Sequence, residues 1–259
     1  MGVLDVHDIS ISFGGLKAVS NFSLSIEKDE IVSVIGPNGA GKTTVFNMLS
    51  GLYKPNSGTI MLDGVNMIGK KPHEYNQLGI ARTFQNIRLF GNASVIDNLK
   101  IALNVATKYR MFDAFLRTKR YLAEEKRIDE EAMAMLDIIG LADKADFIAK
   151  NLPYGEQRRL EIGRALITRP KVLFLDEPCA GMITTEVEEM IRLIPEIRDR
   201  FHIAIMLIEH HMNIVMSIAD RIQVLDFGET IACGTPSEIQ SNPRVIEAYL
   251  GGGYSDAES

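Results

Sequence analysis

The stretch Gly36-Pro37-Asn38-Gly39-Ala40-Gly41-Lys42-Thr43-Thr44 constrains this chain more than any other. It follows the apolar run Ile31 to Ile35, which reads as a buried strand, and it precedes Val45, Phe46, Met48 and Leu49, which recur at helical spacing. Strand, glycine loop and helix in that order are the setting of a phosphate-binding P-loop. Small residues let backbone N–H groups close around an anion, and the helix N-terminus adds about half a positive charge. In such a loop Lys42 reaches the β- and γ-phosphates and the Thr43 hydroxyl ligates Mg²⁺.

A second motif carries chemistry. Val172-Leu173-Phe174-Leu175-Asp176-Glu177-Pro178 ends a buried strand in two carboxylates. An acidic pair after a strand is by itself as readily a helix start. Downstream of a P-loop it faces the metal and the γ-phosphate, so Asp176 is expected to hold the metal through water and Glu177 to orient or deprotonate the attacking water.

The rest of the chain fits one α/β unit with an insertion. Residues 3–12 and Phe22 to Ile26 alternate apolar and polar as half-buried antiparallel strands do, with Gly14-Gly15 between them. The P-loop helix stops at Gly51, Thr59 to Leu62 is a strand, and Asp63-Gly64 signals a hairpin. From Val95 to Ile148 the pattern turns helical and charged, with the run from Lys119 to Glu131 reading as a solvated helical face. Gln157 to Thr168 is a helix stopped at Arg169-Pro170. Thr185-x-x-Glu188 is a capping box opening a helix that Pro195 should kink, and Ile203 to Ile208 is a buried strand. Asp226-Phe227-Gly228 turns a hairpin, and Thr235 to Glu238 caps a further helix. The expected division is 1–94 with 157–250 as core, 95–156 as helical subdomain and 251–259 as a loose tail.

Composition excludes several classes. A net charge of −6 gives no electrostatic footprint for nucleic acid. Two cysteines, Cys179 and Cys233, make no disulfide framework and fit a reducing compartment. Met1 to Asp8 lacks the basic flank and apolar core of a signal peptide, and no apolar run approaches the ~20 residues that span a bilayer. Any membrane role is therefore expected to come through partners.

With both motifs placed, the chain resembles the nucleotide-binding subunits of ABC transporters over nearly its whole length. The family's order of motifs is matched by Phe13 before the P-loop, Gln85 in Thr83-Phe84-Gln85, the signature-like Leu152-Pro153-Tyr154-Gly155-Glu156, Asp176-Glu177, a short loop from Ala180 to Ile183, and His210. The resemblance implies a P-loop NTPase (RecA-like) α/β core with an N-terminal antiparallel β subdomain and an inserted α-helical subdomain. It also implies ATP and Mg²⁺ as cofactors. Phe13 would stack on adenine, for about 1–3 kcal/mol by analogy with base stacking. Gln85 would contact Mg²⁺ and water and sense the membrane subunits, and His210 would meet the γ-phosphate. The other histidines, His7, His73, His202 and His211, match no motif and read as structural.

The local wording of Arg82-Thr83-Phe84-Gln85, Arg88-Leu89-Phe90, Tyr154 to Ile162, Leu207 to His210 and Val245 to Leu250 is most similar to the LivG-type ATPases of branched-chain amino-acid importers. That implies two integral-membrane permease subunits, a solute-binding protein acting indirectly, and a place on the cytoplasmic face of the cell membrane. Rival readings are a soluble ABC ATPase acting on nucleic acid or ribosomes, which the acidic charge disfavours, and an ATP-responsive regulatory subunit with weak hydrolysis.

Two residues depart from the family pattern. Pro153 stands where the signature serine belongs and supplies neither hydroxyl nor N–H, a loss of ~1.5–3 kcal/mol toward a charged phosphate. Ile183 replaces a polar residue at the end of its loop. Because family members sandwich ATP between one subunit's P-loop and the other's signature, these departures imply a heterodimer with a second, similar ATPase and unequal sites.

Overall fold

A computed structural model describes residues 2–104 and 118–251. It divides into two compact units, residues 1–85 with 170–259, and residues 86–169. The 251–259 tail expected from the sequence lies, beyond Gly251, outside the described residues, as does the stretch 105–117 of the helical insertion.

The first unit holds two sheets. One is antiparallel, in the order β2-β1-β4-β5, built from β1 (Leu4–Phe13), β2 (Leu16–Ile26), β4 (Ser57–Leu62) and β5 (Val65–Asn66). The other runs β10-β9-β3-β8-β7-β6, from β3 (Ile31–Ile35), β6 (Ile80–Arg82), β7 (Val172–Asp176), β8 (Ala204–Ile208), β9 (Arg221–Asp226) and β10 (Glu229–Gly234). All its pairings are parallel except β9 with β10. Every residue of β3, β7 and β8 is buried, as expected of parallel strands covered on both faces. That is why these three read as continuous apolar runs.

The N-terminal strands are longer and less regular than simple alternation predicts. β2 begins at Leu16, not Phe22, and the β1–β2 register shifts between Val6 and Ile9. Asp8 sits there with φ 49°, so the inward face resumes one residue out of step. Against this sheet packs α1 (Lys42–Leu49), which buries Val45, Phe46, Met48 and Leu49. Phe46 meets Phe174 of β7 with ring centroids 5.3 Å apart. Remaining helices of the unit are α2 (Pro72–Leu78), α6 (Thr184–Phe201), α7 (Met212–Ile218), α8 (Pro236–Gln240) and α9 (Pro243–Gly251).

The second unit contains α3 (Val95–Asn104), α4 (Lys119–Ile138) and α5 (Tyr154–Leu166). On α4 the charged run faces water, with Arg127 bridging Glu124 and Glu131, while Ile128, Ala132, Met135 and Leu136 turn inward. The unit boundaries fall at 85/86 and 169/170 rather than at 94/95 and 156/157. α5 belongs here because it packs on α3 and α4, with Gly163 close against Leu99 and Ile139.

Two helix starts also differ from expectation. α5 opens at Tyr154 with Pro153 as its N-cap, so Tyr154, Gly155 and Glu156 of the signature-like stretch lie in its first turn. α6 opens at Thr184, and the carboxylate that caps it is Glu186, accepting from the Ile183 N–H at 3.2 Å; Thr185 and Glu188 form no box because Thr185 lies inside the helix rather than at its N-cap. The helix runs on through Pro195 to Phe201.

Phe46 is the largest apolar side chain joining α1 to the parallel sheet, so Phe46→Ala should lower stability by about 3–5 kcal/mol, read as a shifted midpoint in urea denaturation.

Candidate functional site

In a parallel sheet the carboxyl ends of the strands share one edge, and ligands bind in the crevice beyond it. Here β3 delivers the glycine loop to that edge, β6 delivers Thr83 to Gln85, β7 delivers Asp176-Glu177, and β8 delivers Glu209-His210. Four segments far apart in sequence meet because their strands are neighbours.

The loop needs its glycines. Gly36 has φ 152°, and a methyl there would run into the Leu225 carbonyl of β9. Gly41 caps α1 in the left-handed region at φ 100°, with the Ala18 carbonyl beside it. No side chain caps α1 and no acidic residue lies in its first turn, so nothing on the helix offsets the partial positive charge of its N-terminus. The Lys42 ammonium, nearly buried, donates to the carbonyls of Gly36 at 2.7 Å and Pro37 at 2.9 Å. Burial pushes its pKa down, opposed by the charge of Glu177.

Glu177 is held from both sides. Its Oε1 lies 2.6 Å from His210 Nε2, and its Oε2 accepts from Gln85 Nε2 at 2.9 Å. Its backbone is left-handed, φ 49°, an uncommon conformation for a side chain of this kind. Its N–H donates to the Ile208 carbonyl at 2.9 Å, which locks it to the end of β8.

Asp176 is placed differently from its neighbour. It is buried and paired with Arg82 at 2.7 Å, and Arg82 also donates to Asn47 of α1 and to Ser50, the residue that follows it. The Arg82 guanidinium lies over the rings of Phe46 and Phe84. Sequence reasoning gave Arg82 no role; the signal available was an arginine ending a short strand three residues before Gln85.

An open cavity of about 820 Å³ gathers residues 38–44, Gln85, Glu177 and His210, so the glycine loop, the amide, the carboxylate and the histidine share one chamber. Leu16 to Ala18 and Phe227 complete its wall. Gly36 and Pro37 line a neighbouring cavity against α9. Phe13 is half-exposed and stands edge-on to Tyr53 at 5.3 Å, outside either lining. The signature-like residues belong to the helical unit. There Leu152 and Gly155 are buried, Pro153 and Tyr154 exposed, and Glu156 paired with Lys144. Behind them Arg158, wholly buried, pairs with Glu161 at 2.9 Å, and Glu161 accepts the Arg88 N–H at 3.1 Å. Burial raises the Glu161 pKa, opposed by Arg158.

A family model described as ABC transporter matches residues 19–180. The chain belongs to the ABC transporter family. A second model, described as branched-chain amino acid ATP-binding cassette transporter, matches residues 229–255 of this ABC cassette. Its relatives include the high-affinity branched-chain amino acid transport ATP-binding protein LivG of Salmonella typhimurium, 47% identical over 96% of this chain and 98% of that one. The corresponding protein BraF of Pseudomonas aeruginosa is 43% identical over the same shares. Among solved structures, the ADP conformation of an ATP-binding cassette of an ABC transporter matches with a TM-score of 0.84, at 30% identity over 97% of this chain and 99% of that one. As an ABC cassette with this site the chain is an ATPase.

Arg82→Met would leave Asp176 buried without its counter-charge. It should destabilise the cassette by about 3–5 kcal/mol, read from the denaturation midpoint.

Proposed function

We propose that this chain is the ATP-hydrolysing subunit of an importer for branched-chain or other hydrophobic amino acids. The observation that supports hydrolysis most directly is Glu177, fixed between Gln85 and His210 in the chamber that also holds Lys42 and the glycine loop. The solute class follows from the names of the relatives, since this subunit itself contacts no amino acid.

The residues of the chamber have roles that their placement supports, while the role of Phe13, outside the lining, rests on the family resemblance. Backbone N–H groups of residues 38–44, which line the chamber, and the Lys42 ammonium hold the β- and γ-phosphates of ATP. The Glu177 carboxylate accepts a proton from the attacking water, His210 orients that carboxylate and meets the γ-phosphate, and Phe13 stacks on adenine. No cluster of three or more His, Cys, Asp and Glu suited to a metal ion occurs among the described residues. Thr43 and Gln85 nevertheless offer hard oxygen donors in the chamber, which fits Mg²⁺ brought in with the nucleotide's own oxygens. When bound, that ion would neutralise charge on the phosphates. Asp176, turned to Arg82, would act on it through water.

The cassette works beside two permease subunits at the cytoplasmic face of the membrane, with a solute-binding protein upstream. No helix among the described residues is long and apolar enough to cross a bilayer. A second, similar ATPase completes the dimer. Pro153 at the start of α5 and the exposed Ile183 at the start of α6 support unequal sites, one of them weakened.

Glu177→Gln in the purified complex should leave ATP binding intact and reduce hydrolysis and solute uptake into vesicles by at least about a hundredfold; substantial turnover would mean another base operates. Pro153→Ser should raise ATP turnover of the complex by roughly ten- to a hundredfold if the borrowed site limits the rate. An unchanged rate would count against the unequal pair.

A further inference from the structure

Glu209 lies at the end of β8, immediately before His210, with only 2% of its surface exposed. A carboxylate carried that far inside needs donors, and it has them on two separate segments. Oε1 accepts the N–H of Cys179, two residues after Glu177, at 3.0 Å. Oε2 accepts the N–H of His210 at 3.0 Å, lies 3.4 Å from the N–H of His211, and lies 3.3 Å from the His211 ring Nδ1. One side chain therefore fastens the turn that follows Glu177 to the turn that presents His210.

The need for that fastening is visible in the backbone. Glu177 is left-handed at φ 49°, a conformation that persists in a non-glycine residue only where its surroundings over-determine it. On one side the Glu177 N–H is held by the Ile208 carbonyl; on the other, past Pro178, which has no N–H, the next amide is that of Cys179, and Glu209 accepts it. The strained residue is thus bracketed by two consecutive residues of one strand end, Ile208 through its carbonyl and Glu209 through its side chain. The same carboxylate sets the backbone from which His210 reaches Glu177 Oε1 at 2.6 Å.

We infer that Glu209 is a positioning residue for ATP hydrolysis: its buried carboxylate, accepting from Cys179 and from His210 together, holds Glu177 and His210 in register with each other. It does not line the chamber that holds the glycine loop, Glu177 and His210. The inference rests on the assignment of Glu177 and His210 to the hydrolytic step. The structural demand is for two acceptor oxygens on one planar group, which a glutamine supplies only by half, since its NH₂ would face one of the N–H donors.

Glu209→Gln and Glu209→Ala are tested in the full-length cassette assembled with its partners. Three quantities are read: affinity for ATP without Mg²⁺, single-turnover hydrolysis at saturating ATP, and hydrogen exchange of the Cys179 amide. Loss of a charge-assisted bond predicts roughly a ten- to hundredfold fall in the hydrolysis step for Glu209→Ala, a smaller fall for Glu209→Gln, and ATP affinity within about twofold of the parent. Exchange at Cys179 should rise in both variants. The inference is overturned if hydrolysis is unchanged while Cys179 exchange rises, or if Cys179 stays protected. It is also overturned if ATP affinity falls as far as hydrolysis, which marks a general loss of the fold. If Glu177→Gln itself leaves turnover intact, it is the underlying assignment that fails, a result distinct from any of these.

Discussion

The left-handed turn at Glu177 is the constraint on which the site depends. Such a backbone costs about 1–3 kcal/mol at a non-glycine position, and the only local hydrogen bond at it, among the described residues, is the Ala180 N–H donating to the Glu177 carbonyl at 3.2 Å. The offset comes from the neighbouring strand. β7 and β8 pair in register from Val172 with Ala204 to Asp176 with Ile208, so the last ladder step leaves Glu177 opposite the Ile208 carbonyl. Because β3 lies on the other side of β8, the same register brings the glycine loop to the chamber that the Glu177 carboxyl enters. A slip of one residue between β7 and β8 would turn that carboxyl into the core and leave the loop without its partner.

Charge is arranged around that turn with opposite solutions for its two signs. Lys42 is largely withdrawn from water, and burial lowers its pKa, yet it rests on two carbonyls rather than on a carboxylate. Carbonyl dipoles stabilise an ammonium without neutralising it, so its charge stays available to an anion. Asp176, one residue from Glu177, is treated in the other way: Arg82 pairs with it directly and is itself sandwiched against Phe46 and Phe84. The adjacent carboxylates therefore differ in partner: Asp176 meets Arg82, and the left-handed turn at Glu177 carries its carboxylate to Gln85 and His210.

Much of this was legible in the sequence, and for identifiable reasons. The glycine loop, the strand ahead of it and the acidic pair are local patterns, and β3, β7 and β8 announce themselves as unbroken apolar runs because both their faces are covered. The hairpin at Phe227-Gly228 was equally readable, both residues having positive φ. What escaped were features fixed by tertiary neighbours. The bulge at Asp8 depends on β2 and β4 both pairing with β1. The membership of α5 depends on Gly163 meeting Leu99 and Ile139, contacts across 64 and 24 residues of chain that no periodicity encodes. Glu209 carries no role that its sequence context assigns, and only the pairing of β7 with β8 brings Cys179 within its reach.

The first of the two peptides that join the units, around Gln85, shows the same pattern of anchoring. On the near side of Gln85, Arg82 is fixed by Asp176, Asn47 and Ser50, all within the first unit. On the far side, the Arg88 N–H is fixed by Glu161, which Arg158 holds in place, all within the second. Each anchor is a buried ion pair, costly to assemble and costlier to break singly, since removing one partner strands the other's charge in the interior. Between them lie only Thr83 to Ile87, with Gln85 donating to Glu177. Gln85 thus lies within a few residues of a buried ion pair in each unit.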